Sequence, residues 1–154
     1  MKTKNKETLI ISILIPLAVG AVSSLLSGTM MNNRSFTQPS FSPPGFLFPI
    51  VWTILYILMG VSSYFVYTSD SPLKAPALLI YALQLFFNFS WSILFFRFSL
   101  YEIAFLWLLA LIGLIVIMIY SFIKTRPIAA YLQIPYLLWC LFAAYLNYTI
   151  YTLN

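Results

Sequence analysis

The chain contains no histidine, which removes both the commonest transition-metal ligand and the commonest general base. It has one cysteine, Cys140, set inside an apolar run. An intrachain disulfide is therefore excluded, and the redox compartment stays open. The three acidic residues, Glu7, Asp70 and Glu102, all lie at the ends of apolar runs. Neither a carboxylate nor a basic residue falls in the middle of one. That argues against a proton-coupled transporter and against a conventional ion path, which place ionisable groups within the membrane. The sequence also lacks a nucleophile–base pair, a glycine-rich phosphate loop and a cluster of metal ligands. Ordinary hydrolytic or metal chemistry is not expected.

Charge of any kind is scarce. Only 7% of the 154 residues are charged, against about 25% in a soluble domain. Hydrophobic residues make up 62%, aromatic residues 19%, and the mean hydropathy is +0.96. So few charges do not cover a water-facing surface, and the composition is that of an integral membrane protein. The net charge of +5 comes from basic residues that sit singly at run ends, so it speaks to topology and not to nucleic acid.

Five apolar runs approach the roughly 20 residues that span a bilayer. They cover about 8–27, 46–67, 75–96, 102–123 and 128–153. Backbone groups in lipid must bond internally, so the runs predict helices. The expected fold is all-α: a single domain, 1–154, forming a bundle of five transmembrane helices. The apolar stretch Leu9 to Leu26 is longer than a signal-peptide core and reads as a retained span. Lys2, Lys4, Lys6, Lys74, Lys124 and Arg126 fall on one side of the membrane, and Arg34 and Arg97 on the other. The positive-inside rule then puts the amino terminus in the cytoplasm and the carboxyl terminus outside. The first loop, about 28–45, is the long one and is stiffened by Pro39, Pro43 and Pro44. It is expected outside, as a lid or as a plain connector.

Polar residues within spans usually face a bundle interior or a cavity. The third span carries Gln84, Asn88 and Ser92 at steps of four, with Trp91 and Phe95 alongside. The fifth carries Trp139, Ala143 and Asn147 at the same step, and the second carries Trp52 and Tyr56. Each stripe is one helix face that joins a tryptophan to a hydrogen-bonding group. Two readings stand side by side. The amides tie helices together and the rings fill space, or the three faces line a pocket for a flat apolar ligand. The first span adds Gly20, Ser24 and Gly28, a spacing that suits close helix packing. The fourth span has few polar residues besides Trp107 and Ser121, and is expected to face lipid or a second copy.

Three stretches resemble the translocator protein family, also called tryptophan-rich sensory proteins or peripheral-type benzodiazepine receptors. PSFSPPGFLFPIVWTILYILMG, 39–60, resembles the family's proline-rich loop and its Trp-x-x-x-Tyr helix. ALQLFFNFSWSILFF, 82–96, is similar to its third helix. PYLLWCLFAAYLNYTIY, 135–151, is similar to the Pro-Tyr-x-x-Trp-x-x-Phe-Ala-x-x-Leu-Asn motif of its fifth. The resemblance, to a bacterial-type member, implies a homodimeric five-helix protein of the cell membrane. It further implies binding of porphyrins and of lipophilic isoquinoline or benzodiazepine-like compounds, and in some bacterial members light-dependent oxidative breakdown of protoporphyrin. Carried over by motif, the binding residues are Trp52, Tyr56, Asn88, Trp91, Trp139, Ala143 and Asn147. Two departures stand out. Gly45, Phe46 and Leu47 follow the paired prolines where the family often has a tryptophan. LNYTIYTLN offers no basic residue for a sterol pattern, so sterol binding is not carried over.

Together these imply a membrane protein that holds a tetrapyrrole among Trp52, Trp91 and Trp139, with hydrogen bonds from Asn88, Asn147 and Tyr56. Phe46 and Phe48 are candidate lid rings, and Arg34 a partner for a propionate. The lack of histidine suits a metal-free porphyrin, protoporphyrin IX, as ligand and photosensitiser in place of a tightly bound haem. Trp52 and Trp139 are the candidates for photo-oxidation. The rivals are a transporter of tetrapyrroles or similar lipophilic compounds, and a sensor or scaffold without chemistry. Membrane lipid is an expected partner and nucleic acid is not.

Overall fold

The computed structural model describes residues 2–27 and 39–154. Arg34 and the first part of the long loop, Gly28 included, lie outside the described residues. The helices are α1 (Lys2–Ser27), α2 (Leu47–Tyr67), α3 (Lys74–Ser92), α4 (Tyr101–Thr125), α5 (Pro127–Leu132) and α6 (Ile134–Leu153). Five segments are long and apolar enough to cross a membrane: Asn5–Ser27, Leu47–Tyr67, Lys74–Arg97, Tyr101–Thr125 and Pro127–Leu153. The protein is thus an integral membrane protein built as a five-span helical bundle.

Two spans are less regular than their apolar runs suggest. The third does not end as a plain helix. α3 passes into a π-helical turn, Ile93–Arg97. The turn buries Phe95 and brings Arg97 Nη1 within 3.0 Å of the Leu26 carbonyl. A cation there suits a carbonyl in the last turn of α1, at the negative end of the helix dipole. The fifth span is broken at Gln133, between α5 and α6. Pro135 has no N–H for the Tyr131 carbonyl, and its ring crowds that turn, so one continuous helix is disfavoured.

The fourth span has two apolar faces. Its residues Ala104, Leu108, Leu111, Ile115, Met118 and Phe122 are all buried. They alternate at steps of four and three, which makes one stripe, and the stripe packs on α3 and α6. Only the opposite face, with Leu106, Val116, Ile117 and Tyr120, is exposed. Apolar side chains serve a lipid-facing or subunit-facing surface and a bundle interior equally well, so a helix with few polar residues can present both. Trp107 anchors this packing. Its ring stacks on Phe87 at 4.4 Å, and its N–H reaches Phe87 O at 3.1 Å and Ser90 Oγ at 2.9 Å.

α1 and α2 meet most closely at Gly60. A β-carbon there would collide with the backbone of Ile13 and lie 2.7 Å from the Ser12 carbonyl oxygen. Ser12 is four residues before Pro16, so its carbonyl lacks the usual helical partner. Glycine lets α2 press against that oxygen at van der Waals range.

Gly60→Ala is expected to lower stability by about 1–3 kcal/mol, because backbone cannot yield to the added methyl. Gly113→Ala, where a β-carbon meets nothing within 4 Å, is expected to be neutral or to raise stability by up to about 1 kcal/mol. Reversible unfolding in mixed micelles checks both.

Candidate functional site

The polar stripe on α3 lies in the core. Gln84 and Asn88 are 0% and 3% exposed. Tyr56 Oη donates to Asn88 Oδ1 at 2.8 Å, Asn88 Nδ2 donates to Tyr136 Oη at 2.8 Å, and Tyr136 Oη donates to Gln84 Oε1 at 2.7 Å. One chain of hydrogen bonds thus links α2, α3 and α6. A second tie runs from Trp91 Nε1 to Asn147 Oδ1 at 3.1 Å, and from Asn147 Nδ2 to the Tyr101 carbonyl at 3.0 Å. Asn88 and Asn147 are therefore both committed to other helices, in the manner of interhelical ties in lipid.

The rings stand over this network. Trp52, half-buried, stacks on Tyr56 at 5.6 Å with 29° between the planes, and meets Tyr136 edge-on at 6.3 Å. Tyr56 in turn lies flat against Gly20 of α1, where any side chain would strike its ring. Trp139 lies apart from that cluster. It faces an open groove between α2 and α6 of about 430 Å³, with Val51, Ile54, Leu55 and Leu58 on one wall and Pro135, Leu138 and Phe142 on the other. Phe48 meets Trp139 edge-on at 5.7 Å, and Phe142 flanks it at 5.4 Å. The indole N–H of Trp139 is buried without a partner.

The candidate residues fall into three groups. Trp52 and Tyr56 sit together, joined to Asn88 through the Tyr56 hydroxyl. Trp139 lines the groove, and Phe48 meets its ring edge-on. Trp91, Ala143 and Asn147 are buried, and Trp91 packs on Phe95 at 5.5 Å. Phe46 is brought to none of these and is 70% exposed. The described part of the loop, 39–46, acts as a strap: Phe41 stacks on Tyr145 of α6 at 5.2 Å, so the chain crosses from α6 to the start of α2.

Two central residues were not among the candidates. Tyr136 is fully buried and bonds both amides of α3. Gln84 was seen only as part of a polar stripe. The signal was present: Tyr136, Cys140, Ala143 and Asn147 recur at helical steps and form the buried face of α6. Trp139 drew attention to the adjoining face.

Comparison with known proteins agrees with this architecture. The sequence pattern of the TspO/MBR family matches residues 12–153. The chain belongs to the TspO/MBR family. It is 34% identical to the tryptophan-rich protein TspO of Chlorobaculum tepidum, over 97% of this chain and 99% of that protein. It is 36% identical to the tryptophan-rich protein TspO of Archaeoglobus fulgidus, again over 97% and 99%. A translocator protein of Ovis aries is 33% identical over 78% of this chain and 73% of its own length. As in the names of these TspO/MBR relatives, tryptophan is prominent here: of four tryptophans, Trp91 and Trp52 belong to the ties and rings just described and Trp139 lines the groove.

Asn88→Leu is expected to cost about 1–3 kcal/mol, since it strands the Tyr56 hydroxyl and removes a donor from Tyr136. Tyr56→Phe removes one bond and is expected to cost about 0.6 kcal/mol, the average for such bonds in a membrane. Unfolding titrations of the two variants in mixed micelles check the difference.

Proposed function

We propose that this protein binds a tetrapyrrole, with protoporphyrin IX as the ligand tested first, between Trp52 and Trp139, and that it promotes the light-dependent oxidative breakdown of that ligand. The observation that carries the reading is the groove between α2 and α6. It is apolar and open on one side, Trp139 lines it, and Trp52 follows Val51 of its wall along α2. Family membership and the shared motifs support the ligand class. Isoquinoline and benzodiazepine-type compounds, being flat and apolar, suit the same walls.

In this reading Trp52 supplies a stacking surface and is held flat by Tyr56 beneath it. Tyr56 is held in turn by Asn88. Trp139 supplies the second ring, and its unpartnered N–H is available to a ligand acceptor once Phe48 or Phe142 shifts. Trp91, Ala143 and Asn147 act from behind, by fixing α6 against α3. Light excites the bound pigment and dioxygen is the oxidant. The protein's part is to orient the pigment and to keep an oxidisable indole beside it. Arg34, from the undescribed part of the loop, remains the candidate partner for a propionate. A dimer, and a place in the bacterial cell membrane with the amino terminus in the cytoplasm, belong to the same proposal.

One feature favours a second reading, transport without chemistry. The groove is open along its side, and Ile54 and Leu138 on its rim are 53% and 61% exposed. A lipophilic compound would enter from the membrane without crossing water.

Purified protein is illuminated with protoporphyrin IX, and the pigment's absorbance is followed. Breakdown faster than in empty detergent, and slowed in Trp52→Phe and Trp139→Phe, is the expected result. Binding in Trp52→Ala is expected to weaken by roughly two- to tenfold, the worth of one aromatic contact. Breakdown no faster than in detergent, with flux across liposomes, would favour the transport reading.

A further inference from the structure

Among the described residues, five buried side-chain polar atoms have no hydrogen-bond partner. One is the Trp139 N–H. The other four are the Tyr81 hydroxyl, Gln84 Nε2, and both Nε2 and Oε1 of Gln133. Gln84 and Gln133 are each 0% exposed, and Tyr81 is 7% exposed. Polar atoms this deep in a lipid-embedded bundle are costly unless something bonds them.

Helix register puts Tyr81, Gln84 and Gln133 at a similar depth in the bundle. α3 and α6 run parallel, because Gln84 bonds Tyr136 near the start of α6 and Trp91 bonds Asn147 farther along it. One turn back from Gln84 is Tyr81, and one turn back from Tyr136 is Gln133. Residues three apart on a helix are surface neighbours. Tyr81 lies seven residues beyond Lys74, and Gln133 lies seven beyond Arg126. At 1.5 Å per residue both are about 10 Å in from the same end. Ser63 lies beside Tyr81, and because its hydroxyl hydrogen is given to the Gly60 carbonyl at 2.9 Å it can meet Tyr81 only as an acceptor, which leaves the lone pairs of the Tyr81 oxygen unused.

The chemistry of the cluster indicates its occupant. It offers amide donors, an amide acceptor and a hydroxyl, and it carries no charge. Along these helices the nearest charged side chains are Lys74 and Arg126, about 10 Å away and at the end of the span, too far to ligate an ion here. A water molecule needs two to four polar partners and typically makes about three bonds. We propose that Tyr81, Gln84 and Gln133 enclose an internal water site, in which water accepts from Gln84 Nε2 and donates to Gln133 Oε1. The site extends the Tyr56–Asn88–Tyr136–Gln84 chain by one link. It also braces the bundle at Gln133, where Pro135 interrupts the fifth span. It is separate from the groove, and it does not depend on what binds at Trp52.

The test is the sign of a stability change in the purified full chain. If water bridges the amides, Gln133→Leu strands Gln84 Nε2, and the melting temperature falls by about 2–4 °C for each kcal/mol lost at this size. If Gln133 is a dry orphan, leucine removes an unpaired polar group, and the melting temperature holds or rises. That outcome overturns the proposal. In Gln84→Leu/Gln133→Leu the two losses are expected to be less than additive, because both remove the same water. Full additivity overturns the shared site. A crystal structure that orders buried water decides independently: density bridging Gln133 to Gln84 or Tyr81 supports the site, and a direct amide–amide bond without water overturns it.

Discussion

Asn88 is the residue on which the centre of this bundle depends. An amide in lipid has no solvent to fall back on, and its bonds must come from other helices. Its oxygen takes the Tyr56 hydroxyl and its nitrogen gives to Tyr136, so a single side chain fixes α2 and α6 relative to α3. The backbones at this point stay apart, and long side chains cross the space between them. Each bond is worth little alone. Their arrangement in a chain means that moving one partner strands the next.

The aromatic site inherits its shape from that chain. Among the described residues Trp52 has no hydrogen-bond partner; it rests on Tyr56 and touches Tyr136, and both of those rings are tethered through Asn88. Gly20 supports Tyr56 from the other side. The result is a stacked pair whose lower ring is fixed and whose upper ring is half-exposed. Trp91 and Asn147 make a second, independent tie that reaches the start of α4. The fourth helix, though almost wholly apolar, is therefore part of the frame around the site.

Much of this was legible in the sequence because lipid imposes simple rules. Run length and hydropathy located five spans, and steps of four located the polar faces of the second, third and fifth. The motifs around Trp52, Asn88 and Trp139 identified the family. What escaped was geometry that depends on partners. A π-helical turn at Ile93–Arg97 carries no composition signal of its own, and it is recognised by where it sends Phe95 and Arg97. Arg97 looked like a topology marker and turned out to cap α1. Tyr136 lay in plain view in the Pro-Tyr motif. Its role depends on which face of α6 meets α3, and spacing alone left two neighbouring faces open. The exposed stripe of α4 and its buried stripe are both largely apolar, so hydropathy did not separate them.

The groove between α2 and α6 gives the bundle an uneven stiffness. At one end α2 is bolted to α5, where Ser62 Oγ donates to the Ala129 carbonyl at 2.7 Å. Along its length it is pressed to α1, backbone to backbone, at Gly60. Toward its other end it meets α6 through ring edges, Phe48 on Trp139 and Trp52 on Tyr136. Ring edges part and re-form without breaking a hydrogen bond, whereas the Ser62 bond does not. A guest that parts α2 from α6 at those ring edges works against dispersion forces there, while the Tyr56–Asn88 and Ser23–Phe89 bonds hold α2 and α1 to the third span behind it.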